Sequence, residues 1–94
     1  MTYELAIHPE AENEWAGLDN SIKQRFKQKL IKERLIEPHI PKDKLRDLAD
    51  CYKIKIATPQ FRLVYHVNDA EQLVTILSIA SRDDVYNELK SRLL

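Results

Sequence analysis

The fold is decided by residues 51–80, CYKIKIATPQFRLVYHVNDAEQLVTILSIA, in which three strand-forming stretches follow one another. Apolar side chains recur at alternate positions from 51 to 56 and from 61 to 67, which is the period of a half-buried strand. The third stretch, 73–80, is apolar at most positions, as in a strand that is covered on both faces. The sequence therefore predicts an antiparallel arrangement of three strands in the second half of the chain.

The pairing of the first two strands follows from the requirement that their apolar residues share one face. Pairing Ile56 with Phe61 meets this requirement, because directly opposite residues of a hairpin lie on the same face. The same register places Lys55 opposite Arg62, with Lys53 beside them. These three residues, here called the cationic triad, occupy the outer face. Like charges in this arrangement destabilise a strand pair, so we expect a function or a compensating interaction.

Toward the N-terminus, the sequence predicts one strand and two helices. Residues 2–8 alternate like a strand, and Pro9 ends that strand and suits the first turn of a helix. A second, longer helix starts near Asp19 and continues through Leu35 to Pro38. Its apolar residues recur at four-residue steps: Ile22, Phe26 and Leu30. Its remaining positions are mostly basic and are expected on a solvated face: Lys23, Arg25, Lys27, Lys29, Lys32 and Arg34.

These elements predict one domain, residues 1–94, of the α+β class. An N-terminal strand and a helical hairpin pack on a mainly antiparallel four-stranded sheet. A C-terminal helix follows the last strand, with Val85 and Leu89 on its apolar face.

Composition excludes several classes of function. The chain has a single glycine, Gly17, so glycine-rich phosphate-binding loops are excluded. Its single cysteine, Cys51, forms no internal disulfide and is expected to be a packing residue. The three histidines lack the spacing of metal ligands: His8, His39 and His66. His8 and His39 have no visible acid or base partner, and His66 is expected to be a structural residue on the side of Arg62. We therefore expect no metal, no small-molecule cofactor, no membrane segment and a cytoplasmic location.

The formal net charge of zero hides a strong segregation of charge along the chain. Residues 1–20 contain five acids and no base, whereas residues 21–62 contain twelve bases and five acids. The basic middle segment is typical of nucleic-acid-binding proteins. Two interpretations of the basic helix remain open and compatible, namely a solvated face and a surface that follows phosphates on a large RNA.

Two further residues are expected near the cationic triad. Arg82 follows the last strand directly, and Tyr86 lies four residues later on the same side of the predicted helix. Several cations can stabilise a pentacovalent phosphorane, a lysine crowded by cations can serve as a general base, and a tyrosine can stack on a nucleobase. The alternative is a solvated strand whose lysines prevent edge-to-edge aggregation.

Four runs resemble the RelE/StbE branch of the RelE–ParE toxin superfamily. They are Lys44-Leu-Arg46, Asp50-Cys-Tyr-Lys-Ile-Lys-Ile56, Phe61-Arg-Leu-Val-Tyr65 and Arg82-Asp-Asp-Val-Tyr86. The resemblance implies a toxin of a type II toxin–antitoxin system that cleaves translated mRNA in the ribosomal A site. The implied reaction is a metal-independent attack of the ribose 2′-hydroxyl on the adjacent phosphate. The implied partners are a cognate antitoxin protein, the bacterial ribosome and mRNA.

The resemblance also implies roles for individual residues. Lys55 is the general base, Lys53 and Arg62 stabilise the phosphorane, Arg82 stabilises charge or protonates the leaving 5′-oxygen, and Tyr86 stacks on a base. Arg46 matches a basic residue near the cleaved RNA, and we add as RNA-binding candidates Lys44, Lys23 and Lys27. Two alternatives stay open: a ParE-like DNA gyrase poison without RNase activity, and a non-catalytic nucleic-acid-binding domain.

Overall fold

The computed structural model describes residues 2–46, 48–57, 60–81, 89 and 92. Strand β1 spans Glu4–Ile7, and helices α1 and α2 span Pro9–Ala16 and Asn20–Lys29. A π-helical turn, Leu30–Arg34, continues α2. A linker, residues 35–50, follows this turn and contains a 3₁₀ turn, Pro41–Asp43. Strands β2, β3 and β4 span Cys51–Ile56, Phe61–Asn68 and Leu73–Ala80. Leu89 and Arg92 are helical, whereas Val85 lies outside the described residues.

The four strands form one mixed sheet in the order β1-β4-β3-β2. Among the described strands, β1 and β4 run parallel and the other two pairs run antiparallel, so the predicted α+β class and mainly antiparallel sheet are confirmed. Ile56 lies opposite Phe61 and Lys55 lies opposite Arg62, as the hairpin register predicts. Strand β4 lies between β1 and β3, which explains why it is apolar on both faces.

A β-bulge reverses the alternation of β4. Val64 pairs with Ser78 but Tyr65 pairs with Ile76, so Leu77 is the additional residue. Ile76 and Ile79 thereby both belong to the main core, although they are three positions apart. Leu77 belongs to a second apolar cluster on the other face of the sheet.

The main core fills the space between the two helices and the sheet. The α1 helix begins after His8, whose Nδ1 accepts a hydrogen bond from the Glu10 amide at 3.1 Å. The Asp19 carboxylate accepts from the Ser21 amide at the start of α2, as a helix N-cap does. The largest fully buried side chains of this core include Phe26, Leu30, Ile54, Leu63 and Tyr65. No helix among the described residues is long and apolar enough to cross a membrane.

The second helix is shorter than its periodicity predicts. Its α-helical part ends at Lys29, and the Leu35 amide donates to the Leu30 carbonyl at 2.8 Å, five residues back. The π-helical turn carries Arg34 into the interior, where only 4% of its surface is exposed. The prediction that Arg34 lies on the solvated face is therefore wrong. Its position four residues after Leu30 continues the buried stripe.

A second apolar cluster covers part of the opposite face of the sheet. It contains Cys51, Val64, Leu77 and Leu89, all nearly or fully buried. Leu45 and Leu48 of the linker pack against it. The linker and Leu89 thus cover part of the same sheet face that carries the cationic triad.

The exposed edge of β4 is closed by side chains. Strand β1 ends opposite Ile76, and beyond it Glu14 accepts a hydrogen bond from the Ile79 amide at 3.0 Å. Arg92 donates to the Leu77 carbonyl at 2.7 Å and to both oxygens of Glu14 at 2.8 and 3.0 Å. Glu14 therefore joins α1, β4 and Arg92 near the C-terminus.

Candidate functional site

The cationic triad lies on the sheet face opposite the helical hairpin. Lys55 and Arg62 are directly opposite each other, and residues in this relation have Cβ atoms about 4.5–5.5 Å apart. Lys53 lies two residues along β2, on the same face and beside Val64. Lys53 and Arg62 are half-buried, whereas Lys55 is exposed. The predicted juxtaposition of the three cations is confirmed by this register.

The surroundings of the triad are apolar. Val64, which lies opposite Lys53, is fully buried, and so is Cys51. Burial and the nearby Asp50 carboxylate raise the pKa of the Cys51 thiol to about 11. Cys51 is therefore a protonated packing residue at neutral pH, as the sequence predicts, and not a nucleophile.

Arg34 is attached to the strand that carries two of the three cations. Its Nη1 donates to the Lys53 carbonyl at 3.1 Å and to the Tyr65 hydroxyl at 3.0 Å. Its Nη2 donates to the Asp43 carboxylate at 2.7 Å. Burial alone would lower the pKa of Arg34, but the bonds to Tyr65 and Asp43 raise it above its usual value. The positively charged guanidinium, whose charge Asp43 neutralises, thus connects the linker to β2.

Two candidate RNA-binding residues lie in the linker. Lys44 forms an isolated bridge with Tyr52, and the neighbouring Leu45 amide donates to the Cys51 carbonyl at 2.9 Å. The bridge places Lys44 on the Tyr52 side of the sheet, opposite to the side of the triad. Arg46 is exposed and follows this bridge, close to the start of β2.

The other two RNA-binding candidates lie in the helical layer. Lys23 and Lys27 are one helical turn apart on α2. Lys27 borders an apolar groove of about 360 Å³, whose walls include Leu5, Trp15 and Ile31. This groove lies at the β1 edge, whereas β2 forms the other edge of the sheet. The structure therefore does not bring Lys23 and Lys27 together with the cationic triad.

The last two predicted site residues, Arg82 and Tyr86, lie outside the described residues. The final residue of β4, Ala80, pairs with Arg62. Exposed Ser81 follows it. The described chain thus reaches Arg62 of the triad two positions before residue 82.

A hydrogen-bonded cluster on the linker was missed by the sequence analysis. His39 Nδ1 lies 2.9 Å from the Tyr52 hydroxyl, and His39 Nε2 lies 2.8 Å from an Asp69 oxygen. The Tyr3 hydroxyl donates to the same Asp69 oxygen at 2.7 Å. Hydrogen bonds from Tyr3 and His39 lower the pKa of Asp69. The prediction that His39 has no partner is wrong, because its partners are 13 and 30 residues away.

Comparisons with known proteins identify the family. Residues 5–86 match the family model described as ParE toxin of type II toxin-antitoxin system, parDE. The chain is 41% identical, over 99% of both chains, to a putative RelE-like toxin protein of Escherichia coli. It is 38% identical, over the whole of both chains, to the mRNA interferase toxin RelE of Escherichia coli K12.

Solved structures show the same fold. A free E. coli RelE toxin mutant superposes with a TM-score of 0.91 at 36% identity, over the whole of both chains. The toxin in the intact E. coli RelBE toxin-antitoxin complex gives a TM-score of 0.82 at 36% identity, over 86% of this chain and 98% of that one. The likeness in sequence and in fold extends over the full length of these relatives, and the chain belongs to the RelE–ParE superfamily of type II toxin–antitoxin toxins.

Proposed function

We propose that this chain is a ribosome-dependent endoribonuclease, the toxin of a toxin–antitoxin pair, that cleaves messenger RNA during its translation. The cationic triad carries the proposal, because Lys53, Lys55 and Arg62 share one face of two neighbouring strands. The full-length relative named an mRNA interferase supports the same chemistry. A gyrase poison has no need for three cations in this register, so the triad favours RNA cleavage over the ParE-like alternative.

In the proposed reaction, the ribose 2′-hydroxyl attacks the adjacent phosphorus. The O2′–P bond forms, the P–O5′ bond breaks, and the products are a 2′,3′-cyclic phosphate and a 5′-hydroxyl. Lys55 accepts the proton of the 2′-hydroxyl as general base. At the leaving 5′-oxygen we place Arg82, which donates the proton that this oxygen takes up or stabilises its negative charge while solvent water donates it. The protein supplies acid–base and charge stabilisation in this scheme, and no metal ion takes part.

The half-buried cations are suited to stabilise the transition state. The phosphorane carries one more negative charge than the substrate phosphate, and Lys53 and Arg62 are partly shielded from water. Electrostatic stabilisation is stronger where water is excluded. Tyr86 completes the proposed site by stacking on a nucleobase.

The proposal also assigns partners. A relative of this chain was solved in complex with its antitoxin, which supports a cognate antitoxin for this chain as well. Arg46, Lys44, Lys23 and Lys27 are proposed to contact RNA of the ribosome or the messenger. Translating ribosomes occupy the cytoplasm, so the proposal places the chain there.

The test is to induce the protein in bacterial cells with two versions of one messenger, one translated and one without a start codon. We expect breaks in phase with codons, ending in 5′-hydroxyls, in the translated messenger alone. Equal cleavage of both messengers would contradict ribosome dependence. Intact messenger together with double-strand breaks in DNA would support a gyrase poison instead.

A further inference from the structure

The outer edge of β2 needs hydrogen-bond partners that a neighbouring strand would otherwise supply. Backbone groups of successive residues in a strand point alternately to the two sides. The Asp50 carbonyl accepts from the Val67 amide of β3, whereas the Cys51 carbonyl accepts from the Leu45 amide of the linker. The Lys53 carbonyl therefore points to the outer edge as well. Its partner there is Arg34 Nη1, at 3.1 Å.

Arg34 is built into the fold at this point. The π-helical turn brings it inside, and the Tyr65 hydroxyl, which itself donates to the Pro38 carbonyl at 2.7 Å, accepts from the same Nη1. Asp43 neutralises the charge at 2.7 Å. The guanidinium faces the helical side of the sheet, as Tyr65 does, and so contributes a fixed hydrogen bond rather than a fourth cation on the triad face.

We infer that Arg34 is a positioning residue for the site, because its guanidinium holds the Lys53 peptide and thereby fixes the spacing of Lys53 and Lys55 against Arg62. The inference rests on the proposed function for its effect on cleavage. Its geometric part concerns the backbone of β2 alone. Loss of this bond leaves the Lys53 backbone with fewer hydrogen bonds to resist the repulsion between the facing cations. We therefore expect β2 to shift, so that Lys53 and Lys55 no longer keep their spacing from Arg62.

The first experiment compares Arg34→Lys with Tyr65→Phe in single-turnover cleavage on programmed ribosomes. Lysine keeps a charge beside Asp43 but lacks the second nitrogen of the planar guanidinium, the Nη1 that donates to Lys53 and Tyr65. Tyr65→Phe removes a buried partner of Arg34 and leaves the bond to Lys53. We expect the saturating rate of Arg34→Lys to fall about tenfold or more, with half-saturation unchanged, while Tyr65→Phe keeps the wild-type rate. Equal rates in the two folded variants would overturn the inference.

The second experiment needs no variant and no cleavage. In the wild-type protein, the Arg34 Nη1 protons should give separate nuclear magnetic resonance signals with slow rotation and a scalar coupling to the Lys53 carbonyl carbon. Exposed Arg46 serves as the control, and its guanidinium signals should average. An averaged Arg34 signal would refute the inference whether or not the protein cleaves RNA. An ordered Arg34 in a wild-type protein that leaves translated messenger intact would refute the proposed function instead.

Discussion

Lys55 and Arg62 face each other across β2 and β3, and the repulsion within such a like-charged pair disfavours the folded state. A residue that destabilises the sheet and serves catalysis has a recognisable signature on substitution. Removing it lowers activity and leaves stability unchanged or higher. This signature separates the proposed site residues from the core residues around them.

The first prediction concerns Lys55→Ala. We expect cleavage to fall about 10²–10⁴-fold, the range for loss of a general acid or base. The free energy of unfolding should stay the same or rise by about 0.2–1 kcal/mol, because a facing pair of like charges is removed. Single-turnover rates and urea unfolding measure the two effects. Lys29→Ala, at an exposed position of α2, is the control and should change neither.

A growth assay extends this prediction to cells. Lys55→Ala and Arg82→Ala should each relieve growth arrest while the proteins remain folded. If both variants stay fully toxic, the assignment of the site is wrong.

The second prediction concerns Cys51. Its thiol is fully buried and its pKa is raised to about 11, so almost no thiolate exists at about pH 8. We expect no alkylation of the folded protein by iodoacetamide at that pH and rapid alkylation in urea. Cys51→Ala should keep the wild-type cleavage rate. Rapid modification of the folded protein with loss of cleavage would contradict the packing role.

At the scale of elements, the β2–β3 hairpin was predictable because one requirement fixes it. Apolar residues on one face determine the register, and the register determines that Lys53, Lys55 and Arg62 share the other face. The end of α2 was less predictable. The four-residue step of the apolar residues leads to position 34, but an arginine is expected in solvent there, and no local pattern indicates its buried partners Tyr65 and Asp43.

Other parts of the structure were not predictable for the same reason. Glu14 and Arg92 are 78 residues apart, and no local pattern indicates that they close the edge of β4. The His39 cluster similarly depends on Asp69 and Tyr3. Local periodicity identifies the strands and their faces, whereas contacts between polar side chains depend on the assembled chain.

The third prediction concerns Glu14→Gln. Burial alone would raise the pKa of Glu14, but bonds from Arg92 and the Ile79 amide lower it below its usual 4.5. A lowered pKa in the folded state means that its stabilisation is complete above about pH 4.5 and is lost as the pH falls through the folded pKa. At pH 7 we expect Glu14→Gln to lose about 1 kcal/mol, a modest value because the side chain is 29% exposed.

Urea unfolding at pH 7 and pH 3 measures this difference. Wild type and variant should differ at pH 7, and the difference should be smaller at pH 3. Glu12→Gln, on the exposed part of the same helix, is the control and should match the wild type at both values. A difference that persists undiminished at pH 3 would contradict the role of the Glu14 carboxylate.

At the scale of the whole molecule, the cations form two separate sets, one on each side of the sheet. The cationic triad lies on one side of the sheet, and the lysines of α2 lie in the helical layer on the other. A net charge of zero therefore does not describe either surface. The two sets of cations should contribute to cleavage in different ways.

The fourth prediction concerns the double variant Lys23→Ala and Lys27→Ala. We expect weaker binding to programmed ribosomes and a smaller dependence of affinity on salt, by about one in the logarithmic slope for each phosphate that is no longer neutralised. The saturating cleavage rate should not change, because neither lysine lies with the triad. Titration of ribosomes at several salt concentrations separates the two effects. A lower saturating rate would show that the helical layer takes part in the chemistry.

The pairing of β1 with β4 and the bond between Glu14 and Arg92 have a consequence for how the protein is made. Both join residues from the start of the chain to residues that are synthesised near its end. The sheet cannot form completely until residues 73–80 emerge, because β4 lies between β1 and β3. The Leu77 carbonyl at the edge of β4 lacks its hydrogen bond until Arg92 follows. Such long-range pairing also slows folding. A newly made chain should therefore acquire its native surface only after residues 73–80 and Arg92 have emerged from the ribosome.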